Sequence, residues 1–254
     1  MISIKTPEEI KIMTEGGKRL AKIMRQLGKK VRPGVATIEL ETLAERLVLE
    51  SGGKPSFKGY QGDDLDKPYP ACLCISVNKE LVHAVPLERV LKAGDIVSLD
   101  IGMQRGGFHT DMARTFAVGK ITSTAKKLMA VTKKALEIGV KQIKPGNRIG
   151  DISFAIQQYV EKNNLNVVRE LCGHGIGREL HEDPQIMNFG EKGKGEILKE
   201  GMVICIEPMV TIGHWRLKQS ADGFGYETKD GSLSCHFEDT IVVTKRGHST
   251  LTKR

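Results

Sequence analysis

LKAGDIVSLD, residues 91–100, has a second copy in LKEGMVICIE, residues 198–207. Leucine, lysine and glycine recur in place, an apolar strand pattern follows, and each copy ends on a carboxylate, Asp100 or Glu207. The copies are 107 residues apart. Upstream of each, KVRPGVATIEL (30–40) matches QIKPGNRIGDI (142–152) in its Pro-Gly pair and apolar steps, 112 residues apart. Two matches in the same order at nearly the same offset indicate an internal duplication. The chain then reads as two halves, about 1–120 and 121–254, of one domain spanning 1–254.

Each half places helices before strands. Thr6-Pro7-Glu8-Glu9 is a capping box with proline at the first helical position. Ile10, Met13, Gly17, Leu20, Met24 and Leu27 follow on one apolar or small face. Thr37 opens a second helix with Leu40, Leu43, Ala44 and Leu47 inward. Residues 124–140 and 150–162 repeat the arrangement. Strands are expected at 72–77, 95–102, 108–117, 202–211 and 233–243. Helices packed on one face of a repeated antiparallel sheet make an α+β fold.

Composition bounds the rest. The chain has 254 residues, 39% hydrophobic and 28% charged, enough for a full core. No apolar run is long enough for a bilayer, and MISIKTPEEIKIM lacks the form of a signal peptide, so a cytoplasmic protein is expected. The five cysteines are odd in number and form no C-x-x-C pair, which fits free thiols in a reducing compartment. The net charge of +8 is uneven: residues 1–32 carry +6, residues 120–148 carry +7, and the remainder −5. Two basic segments on an acidic body point either to an anionic partner such as RNA or to solvated helix faces. Nothing points to DNA or a membrane.

The carboxylates carry the chemistry. In IVSLDIGMQRGGFHTDMARTF two strand-like runs flank Gln104-Arg105-Gly106-Gly107. A tight hairpin with Arg105-Gly106 at its tip would set Asp100 directly opposite Asp111, on one face. Like charges so placed need a cation between them. Cys172-Gly-His-Gly-Ile-Gly brings His174 to a crowded point between glycines. Glu207 follows the apolar Ile204-Cys205-Ile206, and Glu238 runs into Ile241-Val242-Val243. A carboxylate in such surroundings needs a cation or a proton. Four carboxylates and one imidazole suit Mn²⁺, Fe²⁺, Co²⁺ or Zn²⁺. Four acids exceed what one ion needs, so two divalent ions sharing bridging carboxylates are expected, as in dinuclear hydrolases.

These residues resemble the type I methionine aminopeptidases, end to end. The likeness is carried by Asn78-Lys-Glu-Leu-Val-His83, Asp100, His109-Thr-Asp111, Cys172-Gly-His-Gly-Ile-Gly177, His181-Glu-Asp-Pro184, Glu207-Pro208, and Ser232-Leu-Ser with Glu238. The resemblance implies the pita-bread fold, a pseudo-two-fold repeat of helices on a curved antiparallel sheet. It implies a metalloaminopeptidase that removes the initiator methionine from nascent polypeptides by attack of a two-metal-activated water on the first peptide bond. Asp100 would hold one metal, His174 and Glu207 the other, and Asp111 and Glu238 would bridge. Glu207 would also shuttle the proton, His181 would stabilise the oxyanion, and His83 would hydrogen-bond the scissile nitrogen or aid its departure. Tyr60, Tyr69, Cys74, Leu180 and Phe224 would line the methionine pocket.

The chain departs from that family in places. Ala84 follows His83 where glycine is usual, Gln61 follows Tyr60 where histidine is common, and residues 62–68 read as a short insertion. Leu180 and Phe224 stand where bulkier aromatics are common. Proline-specific peptidases of the same fold usually carry an extra N-terminal domain, whereas here the catalytic module begins almost at Met1. Metal-free binding proteins of the fold lose ligands, and all five are present here. The 30 residues between Glu207 and Glu238 leave no room for the helical insertion of type II enzymes. The basic segments suggest association with the ribosome near emerging chains. A monomer is expected.

Overall fold

The first helix starts where its capping box predicts. In the structure, a computed structural model describing residues 2–62 and 67–253, the Thr6 hydroxyl accepts from the Glu9 N–H and the Glu9 carboxylate accepts from the Thr6 N–H. Helix α1 spans Pro7–Lys30 and α2 spans Thr37–Glu50; in the second half α3 spans Ser123–Lys141 and α4 spans Ile149–Lys162. Part of the expected 62–68 insertion, residues 63–66, lies outside the described residues.

The duplication is visible bond by bond. Gly34 N–H donates to Leu91 O, and Gly146 N–H donates to Leu198 O. Leu91 N–H returns to Val35 O, and Leu198 N–H returns to Asn147 O. Glu39 accepts from the Ala36 N–H and Asp151 from the Arg148 N–H, so α2 and α4 start alike. Even the isolated bridges Ala36–Val90 and Arg148–Ile197 correspond. Every partner is displaced by the offsets read in the sequence.

A nine-stranded antiparallel sheet joins the halves. Its path runs through Lys54–Pro55, Ile96–Arg105, Phe108–Ala117, Glu238–Thr244, Val203–Ile206, Cys172–Gly175 and Glu182–Met187. Leu73–Val77 also pairs with Ile96–Arg105, and Gly247–Thr250 with Glu238–Thr244. Successive side chains alternate between faces. Val97, Leu99, Ile101 and Met103 pack with Leu20, Met24 and Leu40 of α1 and α2. Ile204, Ile206, Ile241 and Val243 pack with Leu128, Ile152 and Ile156 of α3 and α4. The helices thus cover one face with two equivalent cores. The residues that alternate with those apolar ones, including Asp100, Cys205 and, at the start of its strand, Glu238, turn to the other face.

Two expected strands are broken. The run 202–211 divides into Val203–Ile206 and Met209–Thr211, and 233–243 divides into Ser234–His236 and Glu238–Thr244. Pro208 lacks the N–H that a continuing ladder needs. Met209–Thr211 pairs instead with Ser234–His236 in a separate three-stranded sheet. The chain therefore leaves the large sheet at Glu207 and rejoins it at Glu238. The strand expected at 95–102 runs from Ile96 to Arg105, so Asp100 lies in its middle. No helix of the described residues is long and apolar enough to cross a membrane.

Candidate functional site

The hairpin is shifted from the expected register. Arg105 pairs with Phe108, so Gly106 and Gly107 form the tip, with φ of +59° and +82°. Positive φ at both central residues is the condition of the turn that matches strand twist, and glycine meets it without strain. Asp100 consequently faces Ala113, and Asp111 faces Gly102. The expected direct opposition of the aspartates is wrong by two residues. An even shift preserves the face, so they remain diagonal neighbours on it. Gly102 leaves room as well: a β-carbon there would lie 2.8 Å from Phe57 and from Ser56.

Four adjacent strands bring the acids together. Glu238 also pairs with Ala113, so Asp100 and Glu238 flank Asp111's strand from either side. Asp100, Asp111 and Glu238 offer donor atoms within 4.8 Å of one another. His174, Cys205 and Glu238 form a second such group, so Glu238 is common to both. His174 Nε2 lies 3.6 Å from Glu207 Oε1 and 4.0 Å from Glu238 Oε1. His174 Nδ1 lies 2.8 Å from the Gly175 carbonyl, which can only accept. The ring proton therefore sits on Nδ1, and Nε2 turns its lone pair to the glutamates. Gly173 and Gly175 allow the crowding, because β-carbons there would collide with the carbonyls of Cys205 and Asp183.

The electrostatics call for cations. Asp100 Oδ1, Asp111 Oδ1 and Glu238 Oε1 are buried without a hydrogen-bond donor. Burial and mutual repulsion push Asp100, Glu207 and Glu238 well above the usual carboxylate range. Burial raises Asp111 to about 7. His174 is pushed down to about 3 and His83 to about 4, again by desolvation. Among the described residues lining the cavity there is no lysine or arginine. Oxygen-rich donors, a presented imidazole lone pair and no organic cation fit divalent ions. The Cys205 thiol beneath them is held protonated by burial and the neighbouring acids.

One cavity joins the acids to an apolar wall. It is lined by Asp100, Asp111, His174, Glu207 and Glu238 together with Tyr60, Tyr69, Cys74, Leu180 and Phe224. Tyr69 and Phe224 meet edge to face at 5.5 Å, and the Tyr69 hydroxyl donates to Ala84 O at 3.1 Å. Lys67 sits 4.5 Å over the Phe224 ring. His83 and His181 reach the same cavity. His83 adopts φ of +59°, in the left-handed region that few non-glycine residues occupy. His181 stands edge-on to His174, centroids 4.4 Å apart.

Sequence reasoning missed three residues here. Phe57 lines the cavity and had no local signal. Cys205 sits two positions before Glu207, so strand alternation could have placed it on the site face. His236 stands two before Glu238, and its Nε2 lies 3.5 Å from Glu207 Oε2.

Comparison with known proteins agrees with this geometry. The profile of metallopeptidase family M24 matches residues 11–245. Methionine aminopeptidase 1 of Bacillus subtilis (strain 168) is 47% identical over 253 residues, covering 100% of both chains. The crystal structure of methionine aminopeptidase from Thermotoga maritima superposes with a TM-score of 0.96 at 46% identity, covering 100% of both. The prolidase from Pyrococcus furiosus shares the fold at a TM-score of 0.77 and 24% identity, over 99% of this chain and 65% of that one.

Proposed function

The chain belongs to metallopeptidase family M24, and on that premise we propose that it is an aminopeptidase releasing methionine from the N-terminus of polypeptides. The observation that carries this reading is the single cavity lined both by apolar and aromatic side chains and by the five candidate donors. The apolar lining takes an unbranched thioether side chain, which leaves the first peptide bond over the acids. Nascent polypeptides are the substrates in this reading, and the whole chain, 1–254, acts as one catalytic domain.

Asp100, Asp111, His174, Glu207 and Glu238 would hold two divalent ions, of Mn, Fe, Co or Zn. When bound, such ions polarise a carbonyl and lower the pKa of water. Around them the side chains divide the remaining work. Glu207 takes a proton on its carboxylate from the water that attacks the carbonyl carbon and delivers it to the departing amide nitrogen as the C–N bond breaks. His181 donates from Nε2 to the carbonyl oxygen as negative charge develops there. His83 faces the scissile nitrogen. Tyr60, Tyr69, Cys74, Leu180 and Phe224 hold the methionine side chain.

The five free thiols fit work in the cytoplasm. The exposed lysines of α1 and α3 suit contact with ribosomal RNA, and the protein works as a monomer. Binding to ribosomes that weakens steeply with salt would support that contact; no sedimentation with ribosomes at low salt would end it. For the activity itself, the Mn²⁺- or Co²⁺-loaded protein is given Met-Ala-Ser and an Ala-Pro peptide. Release of methionine from the first alone is expected. Cleavage of the second but not the first would overturn the reading in favour of a proline-specific peptidase.

A further inference from the structure

The geometry points to His236 as a positioning residue that holds the Glu207 and Glu238 carboxylates by donating from Nε2 to their outer oxygens. His236 is 1% exposed, and neither ring nitrogen has a hydrogen-bond partner. Its Nε2 lies 3.5 Å from Glu207 Oε2 and 3.9 Å from Glu238 Oε2. His174 faces the other oxygen of each glutamate, at 3.6 and 4.0 Å. The two acids thus lie between two imidazoles, each acid dividing its oxygens between them.

The imidazoles differ in what they can present. His174 is tied by Nδ1 to a carbonyl, so its Nε2 offers a lone pair. No group fixes the His236 tautomer except the carboxylates, which only accept; its proton therefore belongs on Nε2. Its backbone is clamped by Thr115, whose hydroxyl donates to His236 O at 2.8 Å and accepts from His236 N–H at 3.2 Å. The ring is held in place, and the present separations are longer than hydrogen bonds, so a small turn of either glutamate would bring its outer oxygen within reach of Nε2. A leucine would fill a purely structural position without leaving two polar nitrogens unpaired. Partners that orient ligating carboxylates typically contribute 10–100-fold to metal affinity or activity.

The inference rests on Glu207 and Glu238 being ligands, and the test separates the two. Mn²⁺ binding is measured by titration calorimetry on the full-length protein, with kcat and KM for Met-Ala-Ser. His236→Gln keeps an N–H near the Nε2 position and should bind Mn²⁺ within about threefold of the native protein. His236→Leu removes it and should weaken binding about tenfold or more, with kcat falling and KM little changed. His236→Asn, whose amide stops short of the carboxylates, should behave like His236→Leu and serves if the latter does not fold. Native affinity and kcat in the Leu or Asn variant would overturn the proposal, as would a Gln variant as weak as they are. Glu207→Gln is the control: if it binds Mn²⁺ as tightly as the native protein, the ligand assignment itself has failed.

Discussion

The Tyr60 hydroxyl lies 2.7 Å from His181 Nδ1. If the hydroxyl donates, the histidine's own proton rests on Nε2, where it can meet a substrate carbonyl. Tyr60→Phe keeps the ring and removes that hydrogen bond. The expected result is a kcat about tenfold lower, the equivalent of one hydrogen bond, with a smaller change in KM. Unchanged steady-state kinetics on Met-Ala-Ser would show that Tyr60 is only pocket wall.

Asp111 stands between Asp100 and Glu238 in the sheet. Asp111→Ala should lower the metal content per chain and cut activity by at least about 100-fold, beyond the loss of an outer partner. Elemental analysis beside the peptide assay reads both. Full activity in this variant would sink the site assignment.

The metal-free protein should lose stability as pH rises from about 6.5 to 8. Asp111 is raised to about 7, and burial and mutual repulsion hold Asp100, Glu207 and Glu238 well above the usual carboxylate range. A group whose folded pKa is raised stabilises the fold fully below its unfolded value and loses that contribution as pH rises towards its folded value, by about 1.4 kcal/mol per pH unit per group. The buried His174 and His236, lowered to about 3, and His83 and His181, lowered to about 4, act with the opposite sign, and their gain tails off above about pH 6.5, the unfolded value. Melting curves with EDTA should show the decline, and saturating Mn²⁺ should remove it. A metal-free melting temperature that rises from pH 6.5 to 8 would contradict the assignment.

Gly175→Ala tests the crowding around His174. The new β-carbon would meet the Asp183 carbonyl, which is backbone and cannot swing aside. A loss of about 1–3 kcal/mol is expected from urea unfolding, with weaker metal binding because His174 is displaced. Native stability would mean that the two strands separate freely.

Lys5 connects the start of the chain to the loop that carries His181. Its ammonium lies 2.6 Å from Glu182, with side chains 2% and 14% exposed. Lys5→Met leaves that acid buried without its partner and should cost about 3 kcal/mol. The melting temperature checks the cost, and KM should rise as His181 and Leu180 loosen.

Much of this protein was legible in the amino-acid order because the signals are local or periodic. Capping at Thr6, the duplication with its two offsets, and the placement of acids among apolar strand residues all depend on near neighbours. Period-two alternation also secured the shared face of Asp100 and Asp111, since any even slip preserves it. The tertiary structure alone decided the rest. It set the hairpin tip at Gly106-Gly107, because both residues there must take positive φ, and so replaced opposition of the aspartates with a diagonal. It broke two strands at Pro208 and Phe237, sending the intervening chain to another sheet and leaving Glu207 and Glu238 at the points of exit and return. It also set His236 against both glutamates and Phe57 into the cavity wall. Those meetings join residues far apart in the chain through sheet pairing, and no local pattern records which distant backbone a strand will find.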